Sequence, residues 1–536
     1  MDENLAYGNA WRYRDYVAAA FNKDKPYDQF IREQLAGDLL LAVDDAERNE
    51  HLIATGLLSL GPKMLAEDDS VKMEMDIVDE QVDTVGRTFM GLTLGCARCH
   101  DHKYDPIRIA DYYALAGIFK STKTMDHFRV VARWHERPIG PKADVERRQA
   151  QEEAIAEIKT ALDRLSKLAD KPEVETRVKR LREELAALEK SLPVLSEAMA
   201  VEEGRIANIR IHLRGNHLTL GPEVARQFPR IIAGLNQQPI DPKRSGRQEL
   251  ADWLTRPDHP LTSRVMVNRI WKWHFGEGLV RSPDNFGKLG ERPANQPFLD
   301  WLAGQFVKSG WSIKAMHRLI MLSSTYQMGT AYDERSATVD PENRLHWRMN
   351  RRRLDAEEIR DAILAVSGGL DRGIGGSLFQ GANRAYVPGY PNSIYDRYDF
   401  NRRSIYLPVL RSALYDVFQA FDFPDPSVPS GERASTTVAP QALFMLNSKL
   451  MHEQTRKMAE RLLREPVDDV GRVRLVYEKA YGGLPTTKET ARSLHFVRRS
   501  EETLETEKMA AREVRLRSWQ SLCRAVLAAN EFISVE

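Results

Sequence analysis

Hydrophobic side chains recur every three or four residues along most of the chain, which is the period of helices that bury one face. Near the N-terminus the pattern covers residues 10–21, 27–40 and 78–94, and the last of these leads directly into Cys96. After residue 240 the same period returns at residues 247–255, 263–275, 297–309, 313–322, 354–366 and 443–463. The sequence therefore predicts a mainly α-helical protein of several units.

A different helical pattern occupies the middle of the chain. Between residues 155 and 192 apolar residues alternate at spacings of three and four, and charged residues fill the other positions. This is the seam pattern of a coiled coil, and Asp170-Lys171-Pro172 is typical of a turn between two helices. We expect a projecting antiparallel coiled-coil hairpin, which serves either as a spacer or as an arm that docks a partner.

Alternation with a period of two indicates a small β element. Within residues 208–214, Ile209, Ile211 and Leu213 alternate with polar residues. Turn signals follow at Gly215-Asn216 and Gly221-Pro222. His212 and His217 are interpreted as strand and loop residues. A further strand is predicted at residues 404–409.

These patterns divide the chain into four parts. We expect a helical domain at residues 1–128, a linker with the coiled-coil hairpin at 129–200 and a short β region at 201–239. A mainly helical C-terminal domain follows at 240–536, with a long loop rich in Gly, Pro and Arg at 367–440. A chain of 536 residues is too long for a single ordinary core, so several structural units are expected.

Composition narrows the classes of function. Lys and Arg number 78 against 77 Asp and Glu, so net charge gives no reason to expect nucleic acid as a partner. No uninterrupted apolar stretch reaches the roughly 18 residues of a membrane-spanning helix. The three cysteines are too few for a disulfide scaffold.

Two of those cysteines belong to the segment Cys96-Ala97-Arg98-Cys99-His100. This spacing is the attachment pattern of a c-type haem, in which two thiols add to the vinyl groups and the imidazole binds the iron. A redox dithiol, a zinc or calcium site and a purely structural role remain alternatives. A zinc site would need a fourth ligand from elsewhere.

The flanking residues are candidates for an accessory role. Asp101, His102 and Asp105 follow the motif directly, and Asp83 lies on the preceding helix. His102 is too close in sequence to His100 to reach the opposite face of the same iron. It is expected to contact a haem propionate, to bind a second group or to stabilise the loop.

A second candidate site lies on the helix predicted at residues 263–275. Aromatic faces stack on sugars and guanidinium groups bind anions in a bidentate manner, so this helix is a candidate wall of a carbohydrate or anion pocket. The alternative is a buried network that ties helices together. The candidate residues are Arg264, Asn268, Arg269, Trp273 and His274.

Several long segments resemble one family. The stretch VDEQVDTVGRTFMGLTLGCARCHDHKYDPI at residues 78–107 is similar to the planctomycete cytochrome-associated proteins, which are secreted and carry two adjacent domains of unknown function. The likeness continues at residues 9–40, 259–287, 310–327, 340–368 and 436–448. It implies a periplasmic or extracellular protein, often preceded by a cytochrome-like domain. Because Met1-Asp2-Glu3-Asn4 lacks the features of a signal peptide, the chain is expected to be a fragment.

Three hypotheses for function follow. The first is a haem c redox protein, acting in electron transfer or as part of an extracellular oxidoreductase linked to glycan breakdown by the family resemblance. The second is a metal-dependent or metal-stabilised hydrolase or lyase acting on glycans. The third is a non-catalytic binding or scaffold protein. The expected partners are a redox protein or a polysaccharide.

Overall fold

A computed structural model describes residues 5–166, 172–387, 399–411 and 413–535. Helices dominate these ranges, and the strands form only two-stranded antiparallel sheets, so the predicted mainly α class is confirmed. Within the same ranges, none of the helices combines the length with the apolar composition that a membrane crossing needs. The chain folds into two compact units.

The first unit contains Arg12–Val85 and Leu94–His259. Its helices are α1 (Ala10–Asn22), α2 (Tyr27–Ala36), α3 (Asp45–Ala54), α4 (Leu57–Leu60), α5 (Ser70–Val85), α6 (Ile109–Lys120), α7 (Lys142–Ser166), α8 (Pro172–Ser191), α9 (Arg230–Ala233) and α10 (Arg247–Leu254). Short 3₁₀ turns lie at Gly37–Leu39, Gly95–Arg98 and Leu213–Gly215.

Eight short strands of this unit pair antiparallel. They are β1 (Thr122–Lys123) with β6 (Glu202–Glu203), β2 (Met125–His127) with β3 (Arg133–Trp134), β4 (Glu136–Ile139) with β5 (Ser196–Met199), and β7 (Ile209–His212) with β8 (Leu220–Val224). The strand predicted at residues 208–214 is thus present, and it pairs with β8, which follows the turn signal at Gly215-Asn216. The second turn predicted, at Gly221-Pro222, is wrong, because both residues lie within β8, which pairs with β7.

Helices α7 and α8 occupy the segment of the predicted hairpin and lie side by side. Lys159 forms an ion pair of 2.9 Å with Glu189, and Gln151 donates a hydrogen bond of 3.1 Å to Ser191. The turn predicted at Asp170-Lys171 lies outside the described residues. The coiled-coil packing itself stays a prediction.

The second unit contains Asn4–Trp11, Gly86–Thr93 and Pro260–Glu536. Its helices are α11 (Thr262–Phe275), α12 (Gln296–Lys308), α13 (Ile313–Met321), α14 (Glu334–Val339), α15 (Ala356–Ser367), α16 (Asp416–Ala420), α17 (Ala439–Asn447), α18 (Lys449–Leu462), α19 (Asp469–Tyr481), α20 (Thr487–Glu505) and α21 (Ala511–Leu527). Strand β9 (Arg352–Arg353) pairs with β10 (Ser534–Val535). A large apolar core, which includes the buried Cys523, joins α15 to α21.

The helix predicted over residues 78–94 ends earlier than its hydrophobic period suggests. Helix α5 stops at Val85, a π-helical turn covers Gly86–Met90, and Gly91 then adopts a left-handed φ of +60°. Phe286 packs so closely against Gly91 that an added Cβ would lie 2.8 Å from its ring. A glycine is therefore required at this break, and the cysteine turn is a separate element.

Two further predictions need correction. The single helix predicted at residues 443–463 is divided into α17 and α18, because the Ser448 hydroxyl accepts a hydrogen bond from the Met451 amide and caps a new helix. The strand predicted at residues 404–409 is a 3₁₀ turn, Ser404–Tyr406. Asp361 accepts hydrogen bonds from both the amide and the hydroxyl of Ser404. This side chain, and not a neighbouring strand, therefore fixes the position of the segment. The four-part domain division stays a prediction.

An ion pair with almost no exposure to solvent lies in the first unit, where α10 packs against α2. Arg247 donates hydrogen bonds of 2.6 and 2.8 Å to the two carboxylate oxygens of Asp38 and one of 3.2 Å to the Leu35 carbonyl. The side chains are 0% and 2% exposed, so each charge depends on the other for compensation.

We predict that Arg247→Met destabilises the first unit by about 3–5 kcal/mol, because it leaves the Asp38 carboxylate buried without a partner. The measurement is the midpoint of urea unfolding followed by circular dichroism. Arg256→Met is the control, since Arg256 pairs with Asp258 on the surface, and its midpoint should equal that of the unmodified protein. Equal midpoints for both variants would contradict the prediction.

Candidate functional site

The cysteine motif forms the 3₁₀ turn Gly95–Arg98, and one side of this turn faces the protein interior. Ala97 is fully buried. Arg98 donates hydrogen bonds to Asp76 (2.5 Å) and Asp79 (3.2 Å), which both lie on α5. The hydroxyl of Tyr113 on α6 donates to the Arg98 carbonyl at 3.0 Å. The two residues between the cysteines therefore attach the turn to two helices.

The other side of the turn faces solvent. Cys96, Cys99 and His100 are all exposed. In a 3₁₀ turn, residues three apart lie on the same face because the repeat is three residues. The inward anchoring of Ala97 and Arg98 thus leaves both thiols directed away from the core.

The orientation of the His100 ring is fixed by a backbone group. Its Nδ1 lies 2.7 Å from the carbonyl oxygen of Asp101. A carbonyl oxygen can only accept a hydrogen bond, so Nδ1 carries the proton and the lone pair of the neutral ring is on Nε2. Proximal histidines need this tautomer, in which one nitrogen donates to the protein and the other binds the metal.

Arg98 and the tyrosines packed beneath the turn have pKa values shifted by burial and by the nearby carboxylates. Burial disfavours the Arg98 guanidinium, but its hydrogen bond to Asp76 and the nearby Asp79 carboxylate outweigh that effect and raise its pKa. Burial and the hydrogen bond to Asp79 raise the pKa of Tyr112 well above its ordinary value. Burial also raises the pKa of Tyr113 to about 12. These groups keep their protonation states throughout the neutral pH range.

A loop distant in sequence contacts the Cys99 thiol. Gly215 adopts a φ of +75°, and a Cβ at this position would lie 2.6 Å from Cys99 Sγ. The space beside the sulfur therefore exists only because residue 215 is a glycine. In the same loop, His217 Nε2 lies 2.8 Å from an oxygen of Asp69. The sequence marked Gly215-Asn216 as a turn but gave no sign that it meets Cys99.

The accessory residues organise the loop after the motif. Asp101 accepts a hydrogen bond of 2.8 Å from the Ile109 amide at the start of α6. His102 is buried, and its Nδ1 accepts a hydrogen bond of 2.8 Å from the Asp105 amide. Asp83 lies near the start of the turn, since a Cβ on Gly95 would be 3.8 Å from its carboxylate. A cavity of about 390 Å³ opens beside this loop, lined in part by Asp101, His102, Asp105 and Arg230.

The donor set fits a c-type haem in its chemistry. Covalent attachment requires two accessible thiols and one imidazole nitrogen with a free lone pair, and the outward face of the turn presents these groups. Across the described ranges, no group of three or more His, Cys, Asp or Glu side chains has the arrangement of a metal site.

The candidate residues on α11 divide into two sets. Three of them make contacts within the second unit. Arg264 donates to Asp300 at 2.7 Å, and the Asn268 amide exchanges two hydrogen bonds with the backbone of Val280. His274 Nε2 lies 2.8 Å from His317 Nδ1, and burial lowers the pKa of His274. These contacts match the alternative of a network that ties structural elements together.

The other two candidates, Arg269 and Trp273, line a polar cleft of about 920 Å³ in the second unit. Arg269 donates hydrogen bonds to the carbonyls of Arg87 and Thr88 and forms an ion pair of 3.1 Å with Asp284. The Trp273 side chain is 53% exposed. Lys272 and Asp355 also line this cleft, and neither was among the candidates. Burial lowers the pKa of Lys272 and raises that of Asp355. No sequence pattern distinguishes these two residues from surface charges.

Two family models match the chain. The model PSCyt2, described as a protein of unknown function (DUF1549), covers residues 1–124. The model PSD1, described as a protein of unknown function (DUF1553), covers residues 246–497. No curated protein and no solved structure matches the chain. The cysteine turn lies in the first matched region, and the polar cleft lies almost entirely in the second.

We predict that Gly215→Ala slows the reaction of Cys99 with a disulfide reagent, because the added methyl group occupies the space against Sγ. The rate is measured in a Cys96→Ser background so that one exposed thiol reacts. Gly482→Ala is the matched control. Gly482 has a left-handed φ of +70° and no heavy atom within 4 Å of a Cβ, so it carries the backbone strain of about 1–2 kcal/mol without the contact. Equal rates in the two variants would refute the contact.

Proposed function

We propose that this chain, which belongs to the proteins that join a PSCyt2 domain to a PSD1 domain, is a haem c-binding redox protein. One observation carries the proposal. The turn anchored through Arg98 presents two thiols and one imidazole on its solvent side, and the imidazole has its lone pair on Nε2.

The residues of the turn have distinct tasks. The Cys96 and Cys99 thiols would hold the haem through two thioether bonds, and because addition of S–H across a vinyl group moves the thiol hydrogen to a vinyl carbon, no oxidant would be needed. His100 Nε2 would bind the iron. When bound, the haem supplies one-electron redox chemistry, and the protein passes electrons to or from a partner.

The surroundings of the turn serve attachment. The carbonyl of Asp101 holds the imidazole in the tautomer that binds iron. Arg98 fixes the turn to α5, so the two sulfur atoms keep their relative positions before attachment. Gly215 leaves room at the Cys99 sulfur. Because attachment to two thiols normally takes place outside the cytoplasm, we propose a periplasmic or extracellular location, with a redox protein as partner.

The test is covalent haem in the full chain, produced with an export signal in cells that carry the c-type attachment machinery. We predict a sharp Soret band and a reduced α band that both stay with the protein after acid–acetone extraction. Cys96→Ser/Cys99→Ser should lose the haem on extraction. Cys523→Ser is the control and should keep it, because Cys523 is buried in the second unit.

Other outcomes would overturn the proposal. A folded chain that contains zinc or calcium and no iron would favour the metal-dependent hydrolase or lyase. A folded chain with neither metal nor haem would favour the binding or scaffold protein. His100→Ala separates the tasks within the turn. It should retain both thioether bonds but show an altered spectrum, since the iron loses its proximal ligand.

A further inference from the structure

The polar cleft of the second unit contains a lysine, Lys272, that forms no direct ion pair within the described part of the chain. Lys272 Nζ donates a hydrogen bond of 2.9 Å to the Gly431 carbonyl. Among the described residues, no carboxylate lies within ion-pair distance of this ammonium group. The side chain is half-buried, and burial lowers its pKa although the carboxylates of Glu432, Asp284 and Asp355 act in the opposite direction. Because none of these carboxylates contacts the ammonium group, an anion at this position would gain a direct charged hydrogen bond.

Three arginines of the cleft already have carboxylate partners. Arg269 pairs with Asp284 at 3.1 Å, Arg353 with Asp422 at 2.8 Å and Arg433 with Glu357 at 2.6 Å. These partners belong to the fold and fix the walls of the cleft. Lys272 differs from these three arginines because no carboxylate contacts it among the described residues, so its ammonium group can bind an acidic ligand without losing a partner.

Trp273 supplies a second feature of a binding site. It lines the same cleft, and 53% of its surface is exposed. A large aromatic side chain exposed in a concave polar site offers a flat apolar face to a ring. The cleft volume of about 920 Å³ lies in the range of small-molecule sites, which is roughly 300–1,000 Å³.

We propose that this cleft binds a saccharide that carries one acidic group, with the acidic group at Lys272 and a sugar ring on the face of Trp273. The lining also includes Glu342, Asp355 and Glu358. Arg351 and Arg352 line the cleft as well, so its wall offers both donors and acceptors to sugar hydroxyls, which themselves donate and accept hydrogen bonds. This mixture of charges suits a singly charged sugar better than a polyphosphate, because each added negative charge would also meet a carboxylate of the wall. An inorganic anion would leave most of the volume unfilled.

Binding at this cleft does not require haem at the cysteine turn. The test is therefore the affinity of the full chain for each probe, measured by calorimetry. The probes are methyl glucuronide and glucose 6-sulfate, which distinguish a carboxylate from a sulfate ester. Methyl glucoside is the neutral control, and inorganic sulfate and AMP are the anion controls. We expect at least one acidic sugar to bind about tenfold more tightly than every control, as a charged hydrogen bond implies.

Variants locate the site. Lys272→Met should weaken binding of the acidic sugar about tenfold or more, Lys272→Arg should retain most of it, and Trp273→Ala should also weaken it. Lys308→Met and Trp301→Ala are matched controls on α12, outside the cleft, and should bind normally. Circular dichroism checks that each variant is folded. If Lys272→Met does not fold, the affinity of Lys272→Arg still tests whether a positive charge at this position binds the acidic sugar.

Several results would overturn the inference. Equal affinity for methyl glucoside would remove the role of Lys272, and equal affinity for inorganic sulfate would remove the role of the ring. Preferential binding of AMP would assign the cleft to a nucleotide. Unchanged affinity in Lys272→Met, or no binding of either acidic sugar, would show that the cleft is not this site.

Discussion

The ion pairs of Arg98 with Asp76 and Asp79 determine the direction in which the cysteine turn faces. Arg98 lies between the two cysteines, and its guanidinium is held by two carboxylates of α5. With Ala97 buried beside it, the turn has one inward and one outward side. If the turn were rotated, the thiols would enter the core and Arg98 would lose its partners. The chemistry proposed for the thiols therefore depends on an arginine that does not take part in it.

Much of this arrangement could be predicted from the sequence. The spacing of Cys96, Cys99 and His100 indicated that the two thiols and the imidazole lie on one turn, because the motif is local and its geometry follows from one turn of helix. The hydrophobic period identified most helices for a similar reason. Helix ends were less predictable, since Gly91 and Ser448 interrupt the period through contacts that the pattern does not encode.

The remaining features depend on residues far apart in sequence. Gly215 meets Cys99 across more than a hundred residues, and a turn signal gives no information about what the turn contacts. On α11 the candidate pocket residues included Arg264, Asn268 and His274. In the structure, each of these side chains forms a hydrogen bond with another group of the protein. Lys272 could not be predicted in the same way, because the absence of a direct ion pair depends on the tertiary structure and leaves no trace in the sequence.

The proposed attachment can be tested at the level of bonds, because trypsin cleaves after Arg98, between the two cysteines. Digestion of the exported, matured protein yields peptides 88–98 and 99–103, each with one cysteine. The account predicts one species with the mass of both peptides plus one haem, which persists under reducing conditions. Two separate peptides with free thiols, or a pair that reduction separates, would contradict it.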